Sequence, residues 1–256
     1  MKHYFNVDNF FRPLRLEHPV SDDDYANIRM YIEALSALAR IANMSMYVID
    51  YHKKGFLYVS SNPLFLCGYE RDDVRRLGYG FYSKALSPED LSMLLELNEK
   101  GFEYFYKQDI ENRCDLLISY DFQMNHKNGY KFMVNHKLTP LVLTSDGDMW
   151  LSLCLVTHSI QEKSGNAYIQ HFNKPGRREE YSFRGKRWKE STAIVLTEQE
   201  RKVLLLTAQG YTTQNVADKL FIGLNTVKFH KTNILTKLEV KNMIEAVYFA
   251  TVNQLI

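Results

Sequence analysis

The last 61 residues carry four sets of helix start and stop signals. That punctuation leaves room only for short helices joined by tight turns. Thr197 and Glu200 form a T-x-x-E capping box, and Gly210 supplies a stop. A second helix is expected over 213–220. A third begins after Gly223 and reaches about Lys237. A fourth opens at Asn242, with Glu245 three residues on, again an N-cap pattern. Four short helices in this order predict a helix-turn-helix architecture.

The third helix points to a ligand. At about 100° per residue, Val227, Ile234 and Leu238 lie within about 40° of one another and define a buried stripe, with Leu235 beside it. Asn225, Phe229, Thr232 and Thr236 cluster opposite, flanked by Lys228 and Asn233. A face of Lys, Asn and Thr without a carboxylate suits a polyanion. An α-helix fits the major groove, where Lys and Asn reach base edges and Thr reaches bases or phosphate. Such a face alone is usually only solvated, so the surrounding pattern has to carry the reading.

That pattern resembles a LuxR-type (NarL/FixJ-like) DNA-binding domain. The matching residues are Leu196-Thr197, Glu200-Arg201, Val203-Leu204, Gly210, Ala217, Leu220, Thr226-Val227-Lys228, His230, Asn233-Ile234-Leu235, Lys237-Leu238, Val240 and Glu245-Ala246-Val247. They follow one another without a gap over about a quarter of the chain. The resemblance implies a four-helix domain that inserts its third helix into the major groove and dimerises through its fourth. By position it implies that Lys228, Phe229 and Thr232 face bases and that Thr226, Lys231 and Lys237 serve phosphates. The helical wheel puts Lys231 nearer the buried stripe, so its side chain has to snorkel outward. Phe229 is unusual on such a face, as a contact to a thymine methyl or as cover for the partner helix. His230 and Asn233 are expected to be structural. Two residues depart from the family pattern. Gly223 stands where a Ser N-cap is usual, and Asn215 stands where a Glu would complete the box begun by Thr212.

Upstream, the period changes. Residues 21–42 open with Ser21 and three Asp and continue at helical spacing through Ile28, Ile32, Leu35, Leu38, Ala39 and Ala42. From Met46, MYVIDY and GFLYVS read as a β-hairpin, and residues 62–104 as helical pieces, one of them started by Ser87-Pro88-Glu89-Asp90. Residues 116–158 read as three strands, with turns at His126-Lys127-Asn128-Gly129 and Asp146-Gly147. Two strands, helices and three strands predict an α+β sheet with helices on one side.

Residues 45–160 resemble a PAS sensor domain. The resemblance rests on Ser61-Asn62, Phe65, Gly68-Tyr69, Asp73-Val74, Ser87-Pro88-Glu89-Asp90, His126 to Gly129, Thr139-Pro140-Leu141, Asp146-Gly147 and His158-Ser159-Ile160. It implies a ligand between sheet and helices, or a partner protein alone. The pattern of flavin photoreceptors is absent around Cys67, and His52, His126, His136 and His158 fall in strands or turns, so neither flavin nor haem is expected. A small organic ligand is one expectation. The alternative is a pocket filled by the domain's own Phe56, Tyr58, Phe65, Phe81, Tyr82, Phe132 and Trp150.

Composition narrows the remaining classes. The 256 residues are 45% hydrophobic and 24% charged, which excludes a disordered or fibrous chain. Three widely spaced Cys, at 67, 114 and 154, predict reduced thiols and neither a disulfide framework nor a zinc site. Net charge runs from −4 over 1–160 to +4 over 161–195 and +2 over 196–256. The basic C-terminal part agrees with a polyanionic partner. No leader sequence is read at the N-terminus, and no apolar stretch approaches the roughly 20 residues of a membrane span. No phosphate loop, clustered acids of a phosphorylated receiver or nucleophile elbow occurs.

The expected architecture is an α+β PAS-like sensor domain followed by an all-α four-helix LuxR-type helix-turn-helix domain. Its parts are an N-terminal segment and helix (1–44), the sensor (45–160), a partly structured aromatic connector (161–195) and the DNA-binding domain (196–256). The expected function is that of a cytoplasmic bacterial transcription regulator without catalytic activity. Its expected partners are double-stranded DNA, a second copy of itself and, as a further candidate, RNA polymerase; no membrane partner is expected. No cofactor or metal is expected, and an unidentified small molecule in the sensor stays open. The rivals are a sigma-factor-like promoter-recognition subunit and an interaction module that does not bind DNA. The first would need an upstream DNA-melting helical region, where an α+β domain stands instead.

Overall fold

The computed structural model describes residues 6–15, 19–174, 176–253 and 255–256. Residues 1–5 and 16–18, part of the stretch read as lacking a leader, lie outside the described residues. The chain divides into two compact units, Met1–Ser191 and Thr192–Ile256.

The first unit is built on one antiparallel sheet. Its first five strands are β1 (Ser45–Asp50), β2 (Gly55–Val59), β3 (Leu116–Asn125), β4 (Lys131–Leu143) and β5 (Met149–His158). They lie in the order β2-β1-β5-β4-β3. The chain leaves the sheet after β2 and returns at β3, and that excursion holds α2 (Pro63–Leu66), α3 (Arg71–Leu77), α4 (Tyr82–Ala85) and α5 (Pro88–Tyr106). This is the order of strands and helices that the sequence predicts.

Local chemistry explains the joints. Ser87 Oγ accepts from the Asp90 N–H at 3.1 Å, and Pro88 occupies the first position of α5. The β3–β4 turn closes where Asn128-Gly129 predicts it, with Gly129 at φ +90°. That turn is pinned to the helical side by the Lys127 N–H, which donates to Cys67 O at 2.9 Å. Gly68 makes the approach possible. It has φ +79°, and a Cβ there would meet the His126 ring at 2.5 Å.

Two expectations are corrected. Helices were expected on one face, but α1 (Asp22–Ile41) covers the other. Ile28 packs there with Val48, Trp150 and Leu151, and Tyr25, Ile32 and Leu35 flank them. This second layer explains why β5 is almost continuously apolar. It also moves Tyr58 and Trp150 out of the supposed pocket, because both belong to the α1 side. The opposite side of α1 leaves Met30, Tyr31 and Ile41 exposed.

The second correction concerns residues 161–195. The expected connector contains β6 (Gly165–His171), β7 (Arg177–Ser182) and β8 (Arg187–Thr192), which continue the sheet beyond β3 as β3-β6-β7-β8. Ile118 pairs with Ile169 and Ser119 with Tyr168. The aromatic residues of this segment fold onto α5. Tyr181 and Ala167 pack with Leu97, and Trp188 joins them. Three hydrogen bonds fasten the same face of α5. The Tyr181 hydroxyl donates to Glu96 at 2.7 Å, Trp188 Nε1 donates to Lys100 O at 3.0 Å, and the Tyr104 hydroxyl donates to Glu179 at 2.6 Å.

The second unit holds α6 (Glu198–Ala208), α7 (Thr213–Leu220), α8 (Leu224–Leu238) and α9 (Met243–Val252). Its core gathers Val203, Leu204, Val216, Val227, Ile234, Leu238 and Ala246. The stripe read on the third helix is the buried one.

Candidate nucleic-acid interface

α8 is held from below and open above. Val227 and Ile234 are fully buried and Leu238 is 2% exposed, which fixes the helix's rotation about its axis. Asn225, Thr226, Lys228, Phe229, Thr232 and Thr236 are then exposed. No carboxylate occurs between Leu224 and Leu238. Gly223 starts the helix with extended backbone and no side-chain cap.

The six expected contact residues fall into four situations. Thr226, Lys228 and Phe229 lie on the exposed face, and Phe229 keeps 62% of its surface accessible beside the His230 ring. Thr232 is exposed too, but its hydroxyl donates to Lys228 O at 3.1 Å within the helix. Thr236 repeats this bond onto Thr232 O. Both hydroxyls therefore present lone pairs outward, which suits an amino group on a base edge. Lys231 does extend away from the stripe, as its position requires. Its Nζ reaches Thr213 Oγ1 on α7 at 3.0 Å, so it sits over the junction of the two helices.

Lys237 is placed differently. Its Nζ lies 2.7 Å from Glu200 Oε2, and the Glu200 side chain is only 3% exposed. The same oxygen accepts the Thr197 N–H at 2.8 Å, while Thr197 Oγ1 accepts the Glu200 N–H at 3.2 Å. The expected capping box is complete, and one of its carboxylate oxygens also ties α6 to the C-terminal end of α8. Sequence reasoning assigned Glu200 to the cap alone, since nothing in the spacing pairs it with a residue 37 positions away.

Burial raises the Glu200 carboxyl, but the hydrogen bonds from Lys237 and Thr197 outweigh it and hold the group below its ordinary value near 4.5. Its stabilising contribution is therefore complete above that range and is lost as pH falls below it. Replacing Lys237 by Met is expected to destabilise the unit by about 1–2 kcal/mol near neutrality, since a buried acceptor loses its cation while half of the pair faces solvent. Near pH 4 the loss shrinks. Chemical denaturation at both pH values checks this, and an equal loss at both would remove the ion pair from the account.

Residues 194–250 match the family described as GerE, bacterial regulatory proteins, luxR family. The C-terminal unit is a luxR-family domain. The response regulator protein VraR of Staphylococcus aureus (strain NCTC 8325 / PS 47) is 47% identical over 62 residues, which is 24% of this chain and 30% of VraR. VraR of Staphylococcus epidermidis matches to the same extent. The chain thus covers about a third of the length of these relatives. Among solved structures, the transcription factor GerE is 29% identical, covering 23% of this chain and 88% of its own, with a TM-score of 0.23. The Vibrio cholerae VqmA dimer without target DNA, described as a LuxR-type receptor, is 14% identical over 88% of both chains, with a TM-score of 0.35. A light-oxygen-voltage domain is 17% identical over 50% of this chain and 87% of its own, with a TM-score of 0.37.

In the luxR-family unit, α9 leaves Ile244 83% exposed at its start. Cys67 and Cys154 are buried free thiols, and Cys114 is exposed and free. Among the described residues no His, Cys, Asp and Glu cluster could hold a metal, and no helix is long and apolar enough to cross a membrane.

Proposed function

We propose that the protein is a sequence-specific DNA-binding transcription regulator whose N-terminal PAS-like unit receives a signal. One observation carries the reading, the carboxylate-free exposed face of α8 on a rigid luxR-family core. Lys228, Phe229 and Thr232 contact bases. Thr226 and Lys231 contact phosphates, and Lys237 joins them from its place beside Glu200. The protein acts as a homodimer on a two-fold site, with Ile244 of α9 in the seam. RNA polymerase is the partner that such a regulator would address. No catalytic step is assigned to the chain.

The signal travels through α5. That helix faces the sensor interior through Leu94, Leu97 and Phe102, and it is bonded to β7 and β8 through Glu96, Lys100 and Tyr104. β8 ends at Thr192, and α6 starts at Glu198. A shift of α5 therefore moves the strand that leads into the DNA-binding unit.

Selection from random duplexes with the full chain tests the reading. A pseudo-palindrome is expected, with half-sites one helical turn apart, about 10 base pairs centre to centre. With the selected duplex, Lys231→Ala weakens specific and non-specific binding alike and lowers the salt slope by about one. Absence of any enriched sequence would favour the interaction-module reading.

A further inference from the structure

The interior of the sensor unit is filled unevenly. Tyr47 stacks on Phe65 at 4.1 Å, and Phe56, Phe81 and Tyr82 close around them. Toward α5 a cavity of about 70 Å³ remains. Tyr51, Tyr82, Leu97, Phe102, Tyr120 and His136 are among the residues that line it, and the described lining contains no Asp, Glu, Lys or Arg.

His136 of β4 is the unusual member. It is 1% exposed. Its Nε2 lies 2.5 Å from the Tyr47 hydroxyl, which lies 2.5 Å from the Tyr82 hydroxyl on α4. Its Nδ1 is buried without a partner. Burial pushes the imidazole down to about 3, so the ring is neutral near pH 7 and carries one N–H and one lone pair. Whichever of these meets Tyr47, the other is left at Nδ1. A buried polar group without a partner destabilises the fold, and a ligand that supplies the partner recovers that cost.

We propose that this cavity binds a small uncharged molecule, no larger than a single ring, that hydrogen-bonds His136 Nδ1 and is otherwise held by apolar and aromatic contacts. Size follows from the volume, about half of the roughly 150 Å³ that admits benzene in an engineered apolar cavity, so the lining yields slightly. Neutrality follows from the lining, where an ion would be desolvated without a counter-charge. The ligand's polar group selects the tautomer of His136. The tautomer sets the direction of the hydrogen bonds through Tyr47 to Tyr82, linking β4, β1 and α4. This rests on the sensor reading above and names its ligand class.

The test needs no DNA, so its failure leaves the DNA-binding reading intact. The full chain, labelled with ¹⁵N-histidine, is titrated with pyrazole, which is neutral and both donates and accepts. Thiophene, of equal size without a comparable hydrogen-bonding group, is the control. Pyrazole is expected to move the Nδ1 resonance of His136 saturably and to bind at least about tenfold more tightly than thiophene. Imidazole at pH 5.5, where it is a cation, is expected to leave the resonance in place. In His136→Phe the preference for pyrazole disappears. If that variant fails to fold, the wild-type resonance still decides. Equal binding of pyrazole and thiophene, binding of the cation, or no binding at tens of millimolar would each overturn the proposal.

Discussion

Ile234→Ala is expected to destabilise the luxR-family unit by about 2–5 kcal/mol while the N-terminal unit keeps its stability. Ile234 is fully buried at the middle of α8, among Val203, Leu204, Val216 and Leu238. Removing three carbons from such a site costs about 2–5 kcal/mol, the spread depending on how far neighbours collapse into the void. The unit holds residues 192–256, and at about 0.05–0.15 kcal/mol per residue its whole stability is about 3–10 kcal/mol. Among the described residues, the core of the N-terminal unit shares none with this cluster. Far-ultraviolet circular dichroism on heating checks the result. A helical transition shifted down by more than about 10 °C is expected, since each kcal/mol moves a domain of this size by about 4–8 °C. A shift below about 4 °C would mean that α8 is not packed as described. DNA binding should return on cooling, because the exposed face of α8 is untouched.

Lys228→Ala is expected to do the reverse, leaving stability alone and removing affinity. Lys228 is exposed on α8, so truncating it leaves no cavity, and the change in stability stays within about 0.5 kcal/mol. As a base contact it carries about 1–3 kcal/mol, a loss of roughly 5- to 150-fold, with relaxed discrimination at one base pair of the site. Titration of the selected duplex and of its single-base variants by fluorescence anisotropy reads both effects. An equal loss on non-specific DNA would move Lys228 from base reading to phosphate contact. Compared with Lys231→Ala, the pair separates specificity from electrostatic attraction on one helix.

The helices of the luxR-family unit were legible because their signals are local. Thr197 with Glu200, Thr212 at the start of α7 and Asn242 with Glu245 all cap where the spacing predicts. The buried stripe of α8 follows from 3.6-residue periodicity alone. The β3–β4 hairpin was legible for the same reason, since Asn128-Gly129 specifies its own turn. Residues 161–195 were not. Their strands are short and polar in composition, and what makes them strands is the open edge of β3 together with the α5 face that receives Tyr181 and Trp188. The two faces of the sheet were misassigned because the apolar pattern of α1 says that it packs, without saying on which side.

The candidate site divides along the same line. The residue types on α8, their spacing and the absence of carboxylates are properties of the sequence, and together with the surrounding motif they pointed to a polyanionic partner. Three features depended on the tertiary structure: the tie of Lys237 to Glu200, the reach of Lys231 to Thr213, and the unpartnered Nδ1 of His136 behind Tyr47. Each joins residues 18 to 89 positions apart. Local periodicity and capping fix dihedrals over a few residues. Which distant side chains then meet, and which polar atom is left without a partner, is set by how the layers close on one another.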